Sequence, residues 1–194
     1  MDSARFERAI AAIDAANSDD PHTIEVRGSI RPKELAHAEM MTEWVQKLDP
    51  DASEAQLLAA RAHHLRRWSI PRPSYPDGRA GYLRWRTALR KQHAADVAAI
   101  LEAVGYDPST TDRVRAIVNK EGLGKDEAVQ THEDALCLVF LETQLAATAD
   151  QLGDDKIVEV IRKTALKMSP RAQRLVAELP LRDADRALVT RALH

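Results

Sequence analysis

The sequence predicts an all-α protein, and three observations predict it. Apolar residues recur at spacings of three and four, as in Phe6, Ile10 and Ile13 or Met41, Trp44 and Leu48. Ala and Leu do most of the packing, because apolar residues make up 44% of the chain but aromatics only 4%. Both side chains lose little entropy in a helix. Only seven glycines and few β-branched runs argue against a large sheet. A chain of 194 residues can bury a sizeable core, so one helical domain over 1–194 is expected.

The elements follow in order. Residues 3–16 read as a first helix, ended by Ser18 to Pro21. Residues 22–31 lack a period and read as a structured loop, with His22 solvated. Pro32 suits the first turn of a second helix, and His37, Met41, Trp44 and Leu48 place His37 on its buried stripe. Ser53 and Gln56 form a capping box that starts a third helix at Glu54, read as continuing to Trp68. On its wheel His64 faces in and His63 faces out or lines a rim, while Arg61 falls in the apolar arc and needs a partner. Pro71, Pro73, Pro76 and Gly78 mark a loop. A long helix runs from Arg79 to Val104, with Gly105 as its C-cap and His93 and Asp96 on its apolar face. Asp107 and Pro108 open a helix whose stripe ends at Glu121. The helix from Glu127 to Asp150 is apolar nearly all round after Ala135 and should be central. Glu133 and Asp134 stand at its mouth, where buried acids require partners, and His132 reads as solvated. Residues 151–194 read as a peripheral tail of helices packed on a core of residues 3–150.

Charge and composition narrow the function. The net charge of −2 gives no global pull towards nucleic acid or membrane. A single cysteine, Cys137, fits a reducing compartment, and the charged stretch Met1 to Arg8 is unlike a signal peptide, so a cytoplasmic, non-membrane protein is expected. The oligomeric state leaves no mark. The near-neutral total hides a local bias: residues 61–91 hold nine Lys or Arg against one acid, Asp77. The same window carries Trp68, Tyr75, Tyr82 and Trp85, which are half of the aromatics. Either a solvated face with arginine stems covering the indoles or an anion site gives this pattern.

Three inward histidines on separate helices (His37, His64 and His93), with carboxylates at Glu121, Glu133 and Asp134, make a plausible ligand set for a divalent metal. Imidazole with carboxylate suits Mn, Fe, Co, Ni or Zn, and Mg less well. The order His37, His63-His64, His93, Glu133-Asp134 resembles the HD family of metal-dependent phosphohydrolases. The resemblance implies an all-helical fold whose metal is held by a His from one helix, a His-Asp dyad from the next, and a later Asp. Here the dyad position reads His63-His64, and Glu121 stands where many HD proteins have a further His. The tract His64-Leu-Arg-Arg-Trp, Ile70-Pro, Tyr75-Pro, Arg79-Ala-Gly-Tyr-Leu-Arg-Trp-Arg and His93 also looks like a bacterial family known only as a domain of unknown function. That likeness covers roughly residues 3–150.

The expectation is therefore an HD-like phosphohydrolase acting on a nucleotide or other phosphorylated small molecule. His37, His64, His93 and Asp134 would hold the metal. Glu133, Asp134 and Glu121 are the candidate catalytic acids. Arg66, Arg67, Trp68, Tyr75, Arg79, Tyr82, Arg84, Trp85 and Arg86 would bind substrate. The competing expectation is a non-catalytic helical module that binds a nucleotide, RNA or other anion through the tract 61–91.

Overall fold

The computed structural model describes residues 2–193; Met1 and His194 of the expected 1–194 domain lie outside them. The chain is predominantly helical. Helix α1 (Ser3–Ser18) leads to a small hairpin of β1 (Thr23–Val26) and β2 (Ser29–Pro32). Then come α2 (Lys33–Leu48), α3 (Glu54–Arg61), α4 (Gly78–Val104), α5 (Pro108–Val118) and α6 (Glu127–Thr143). The chain finishes with α7 (Leu145–Leu152), α8 (Asp154–Ala165), α9 (Pro170–Leu175) and α10 (Asp183–Leu193).

The local chemistry accounts for most boundaries. The Ser53–Gln56 capping box forms at the start of α3, and Asp107 accepts from the Thr110 N–H at the start of α5. Gly105, at φ 91°, ends α4 in the left-handed region that suits glycine. Helix α2 has no side-chain cap of its own at Pro32. Asp20 serves instead: its Oδ2 accepts from the Glu34 N–H at 3.0 Å, and its Oδ1 accepts from the His22 N–H at 2.9 Å. A residue in the preceding connection thus fixes the first turn of α2.

Three segments differ from the reading of the sequence. The loop at 22–31 is an antiparallel hairpin, with Thr23 opposite Pro32 and Val26 opposite Ser29. Its two-residue turn, Arg27 and Gly28, has φ values of 52° and 76°, the primed turn that matches strand twist. Arg at the first turn position disguised it. The single helix expected over 127–150 breaks at Gln144, so α6 and α7 are separate.

The third difference shapes the site. Helix α3 stops at Arg61 rather than running to Trp68. Residues 62–66 are a turn, with His64 and Arg66 at φ 57° and 52°. Short turn bonds replace the helical ladder there, such as Leu65 N–H to the Ala62 carbonyl, and three tertiary bonds hold the turn in place. Arg61 reaches Asp14 of α1 at 2.5 Å, the partner its position demanded. Asn17 of α1 accepts from the Arg66 N–H at 3.2 Å, and the Leu65 carbonyl is taken by His93 of α4 at 2.8 Å. The loop beyond then lies along α4, where Trp85 donates to the Ile70 carbonyl at 2.8 Å. Gly81 is required in that contact, because a Cβ there would stand 1.8 Å from the Pro76 carbonyl oxygen.

Two apolar clusters form the core. One joins α1, α3, α4 and α5 through Ile13, Leu58, Leu101 and Ile117. The other joins α2 and α6 to the C-terminal helices through Met41, Leu138, Ile157 and Ile161. Helix α6 is central to the second cluster, as its all-round apolar character predicts. No helix among the described residues is long and apolar enough to cross a membrane.

Candidate metal centre and anion cleft

Glu34 and His37 lie one turn apart on α2, and the turn after α3 brings His64 to them. His37 Nδ1 is 3.4 Å from Glu34 Oε2, and His64 Nδ1 is 3.3 Å from the same oxygen. The candidate ligand atoms of these three residues all lie within 4.8 Å of one another, and the cluster could hold a metal ion. Glu34 and His37 are buried, whereas His64 is partly open to the cleft. Burial alone would raise the Glu34 pKa, but the contact with His37 and the charges of His37 and Arg67 hold it below the ordinary value. Glu34 Oε2 nevertheless has no hydrogen-bond partner among the described residues.

The surroundings orient these groups. Thr143 of α6 donates its hydroxyl to the Val139 carbonyl at 2.7 Å, so its oxygen accepts from His37 Nε2–H at 3.3 Å. With Nε2 so protonated, Nδ1 is left facing the Glu34 carboxylate, where either a second proton on the ring or a cation between the two groups completes the contact. On the other flank Arg67 approaches Glu34 Oε1 to 3.9 Å and donates to His64 Nε2 at 3.3 Å.

A wider set of imidazoles surrounds the triad. His63 and His64 stack with ring centroids 3.7 Å apart, and His132 meets His63 edge-on at 5.4 Å. His93 lies 5.7 Å from His64. Burial drives all four below the usual imidazole range, His93 to about 4 and His132 to about 3. At neutral pH these rings are uncharged and carry lone pairs.

Two cavities flank the triad and share Arg67. A groove of about 350 Å³ is lined by Glu34, Arg67, Trp68, Arg72 and Trp85. A tighter cavity of about 40 Å³ is lined by Arg67, Arg86, Arg90, Lys120, His63 and His93, among others. Lys120, at φ 60°, turns its side chain inward to pair with Glu133 of α6. Burial lowers the pKa of its ammonium, and the Glu133 charge offsets part of that shift.

The expected site residues divide accordingly. His37 and His64 come together, and His93 borders them through the tight cavity. Asp134 does not join them: Ser169 donates to it from both N–H and hydroxyl, and Gln130 donates as well. Glu133 is committed to Lys120. Glu121 is exposed and accepts from Asn119, because the helix ends before it and Lys120 takes the inward position. His132, read as solvated, and His63, read as outward or on a rim, are both buried, since the wheel that turned His63 outward ends at Arg61. Arg67, Trp68, Trp85 and Arg86 line the cavities, whereas Arg66, Tyr75, Arg79, Tyr82 and Arg84 line neither. Arg66, Arg79 and Arg84 are exposed. Asp96 accepts from Gln92.

Sequence reasoning missed Glu34 and Lys120. The i, i+3 spacing of Glu34 and His37 on a helix beginning at Pro32 was the available signal for the first. The left-handed backbone that aims Lys120 inward has no marker in residue type.

No curated protein and no solved structure matches the chain. A family does: residues 7–189 match the family described as a domain of unknown function (DUF4202), and with nearly its whole length so covered the chain belongs to that family.

Proposed function

We propose that the protein is a metal-dependent phosphohydrolase of HD-like type, acting on a nucleotide or other phosphorylated small molecule. One observation carries the reading. A buried carboxylate oxygen, Glu34 Oε2, lacks a hydrogen bond and stands 3.3 and 3.4 Å from two imidazole nitrogens. Ligand atoms at 2.0–2.1 Å around a tetrahedral ion are separated by about 3.3–3.4 Å. Three protein ligands with further positions open is the pattern of catalytic rather than structural metal sites. Two imidazoles and one carboxylate favour Zn, Mn, Fe, Co or Ni over Mg.

Glu34, His37 and His64 would hold the ion, with Asp20 fixing the backbone of Glu34 and Thr143 the ring of His37. A bound ion supplies hydroxide at neutral pH and polarises a phosphoryl oxygen. Arg67, placed between the two cavities, grips the phosphoryl oxygens. For His64 Nδ1 to act as a ligand, its Nε2 must carry the proton, so Arg67 turns from that atom towards substrate. The groove beside Glu34, with Trp68 and Trp85 in its wall and about 350 Å³ of space, suits a nucleoside-sized group.

Elemental analysis of untagged protein, followed by a phosphatase and nucleotidase screen with added Mn, tests this. The expected result is bound transition metal and turnover, both lost in His37→Ala and His64→Ala. Metal-free protein without turnover on any phosphorylated substrate overturns it.

A second reading rests on the Arg67–Glu34 contact at 3.9 Å, which gives the carboxylate a counter-charge from the protein itself. On that reading the chain is a non-catalytic module binding a nucleotide, RNA or other anion through Arg67, Trp68, Arg72 and Trp85. Binding would then weaken with salt and survive both chelation and His37→Ala.

A further inference from the structure

Arg67 touches two residues of the triad and borders both cavities. Its guanidinium donates to His64 Nε2 at 3.3 Å, and its Nε lies 3.9 Å from Glu34 Oε1. Its Cζ stands 4.8 Å from the centre of the Trp85 ring. Trp85 is itself pinned by its bond to the Ile70 carbonyl, so the indole is a fixed platform under a mobile cation. The side chain is partly exposed, with the groove on one side and the tight cavity on the other.

The contact with His64 decides where a proton sits. A guanidinium only donates, so His64 Nε2 accepts and the single proton of the ring is on Nδ1. That Nδ1 is the atom 3.3 Å from Glu34 Oε2, where a metal needs a ligand. A protonated nitrogen has no lone pair to give. The Arg67–His64 bond and a metal on His64 Nδ1 therefore exclude each other. Loading the ion moves the proton, through water, from Nδ1 to Nε2. Two donors then face one another across the former hydrogen bond, and the guanidinium is expelled.

We propose that Arg67 is an internal lock on the metal site, released by an oxyanion. A phosphoryl group that draws Arg67 away opens His64 to the ion, and a bound ion turns Arg67 towards the phosphoryl group. By linkage each ligand raises the affinity of the other through this one side chain by the same factor. The inference rests on the metal-dependent reading given above and adds how the two ligands of that site control one another.

Two measurements on chelator-treated protein test it. The first is the pattern of ring nitrogen shifts of His64, which should show the Nδ1–H tautomer; Nε2–H in the metal-free protein overturns the lock. The second is calorimetric titration with zinc in the absence of oxyanions. Arg67→Met binds zinc about tenfold or more tightly than the unaltered protein, because no charged hydrogen bond has to be broken. Arg86→Met removes the same charge from an exposed residue of the tight cavity and changes zinc affinity less than about threefold. Sulfate, added at fixed ionic strength, raises zinc affinity in the unaltered protein and not in Arg67→Met. Equal zinc affinity of the unaltered protein and Arg67→Met overturns the lock and leaves the metal reading standing. An equal sulfate effect in both proteins also overturns it, since the anion then acts on the ion directly. Failure of all three proteins to bind zinc removes the lock and the metal reading together.

Discussion

Glu34 and Glu133 are both acids on core helices, and they are 4% and 3% exposed. Their surroundings differ. Glu133 is neutralised at contact distance by Lys120, a cation brought in by a left-handed backbone. Glu34 Oε2 has two imidazole nitrogens nearby but no hydrogen bond. Burying a carboxylate costs several kcal/mol unless it is paired and bonded. The fold meets that cost fully at one acid and only in part at the other. Completeness of partnering, rather than burial, separates an acid that supports the structure from one available to a ligand.

Breaking the Glu133 pair has the largest expected effect. Lys120→Met leaves an uncompensated carboxylate in the core and lowers stability by about 3–5 kcal/mol. In a chain of this size that is a drop of roughly 10 °C or more in melting temperature, measurable by calorimetry. A loss below about 1 kcal/mol would place Glu133 in the same class as Glu34.

Asp134 sharpens the contrast from the satisfied side. Asp134→Ala removes both Ser169 bonds and the Gln130 bond, with an expected cost of about 2–4 kcal/mol in urea denaturation. Metal content and anion binding stay unchanged.

Acid acts next in size. Burial holds the His132 pKa near 3, against an ordinary value of 6.5. The unfolded chain therefore binds a proton here more readily than the folded one. The stability from the neutral ring is complete above about pH 6.5 and drains as pH falls towards 3. By pH 5 it amounts to about 2 kcal/mol lost. His132→Phe flattens the urea midpoint between pH 7.5 and pH 5, and an unchanged slope would show that the ring already charges in the folded state.

The smallest effect is the most diagnostic. Glu34→Gln changes the stability of metal-free protein by less than about 1 kcal/mol, since the lost attraction to His37 and Arg67 is offset by relief of the burial cost of the charge. The same change abolishes metal retention in elemental analysis. A large loss of stability without added metal would mean that Glu34 is a structural acid like Glu133.

Much of the helical frame was legible in the residues. The capping box at Ser53, the glycine after Val104 and the all-round apolar run after Ala135 each act locally, so spacing alone exposes them. His37 was legible for the same reason, because α2 is regular throughout. The turn at 62–66 was not. Ala62 to Trp68 continues a helical period, and the bonds that end the helix come from Asp14, Asn17 and His93, remote in sequence. Once that turn is misread, His63 faces the wrong way and His132 loses its neighbour. Lys120 was hidden similarly, by a backbone torsion that carries no residue signature.

The carbonyl of Leu65 has one more consequence. It determines which nitrogen of the neutral His93 ring carries the proton, so the polarity of a buried imidazole beside the triad is written in main-chain geometry and not in side-chain identity. Replacing Leu65 with another residue of similar bulk leaves that assignment intact. Inserting or deleting one residue between Arg61 and Arg66 would rotate the carbonyl away and free the ring to change tautomer, without altering His93 itself. Lineages of this chain should therefore accumulate substitutions in the segment far more readily than changes in its length.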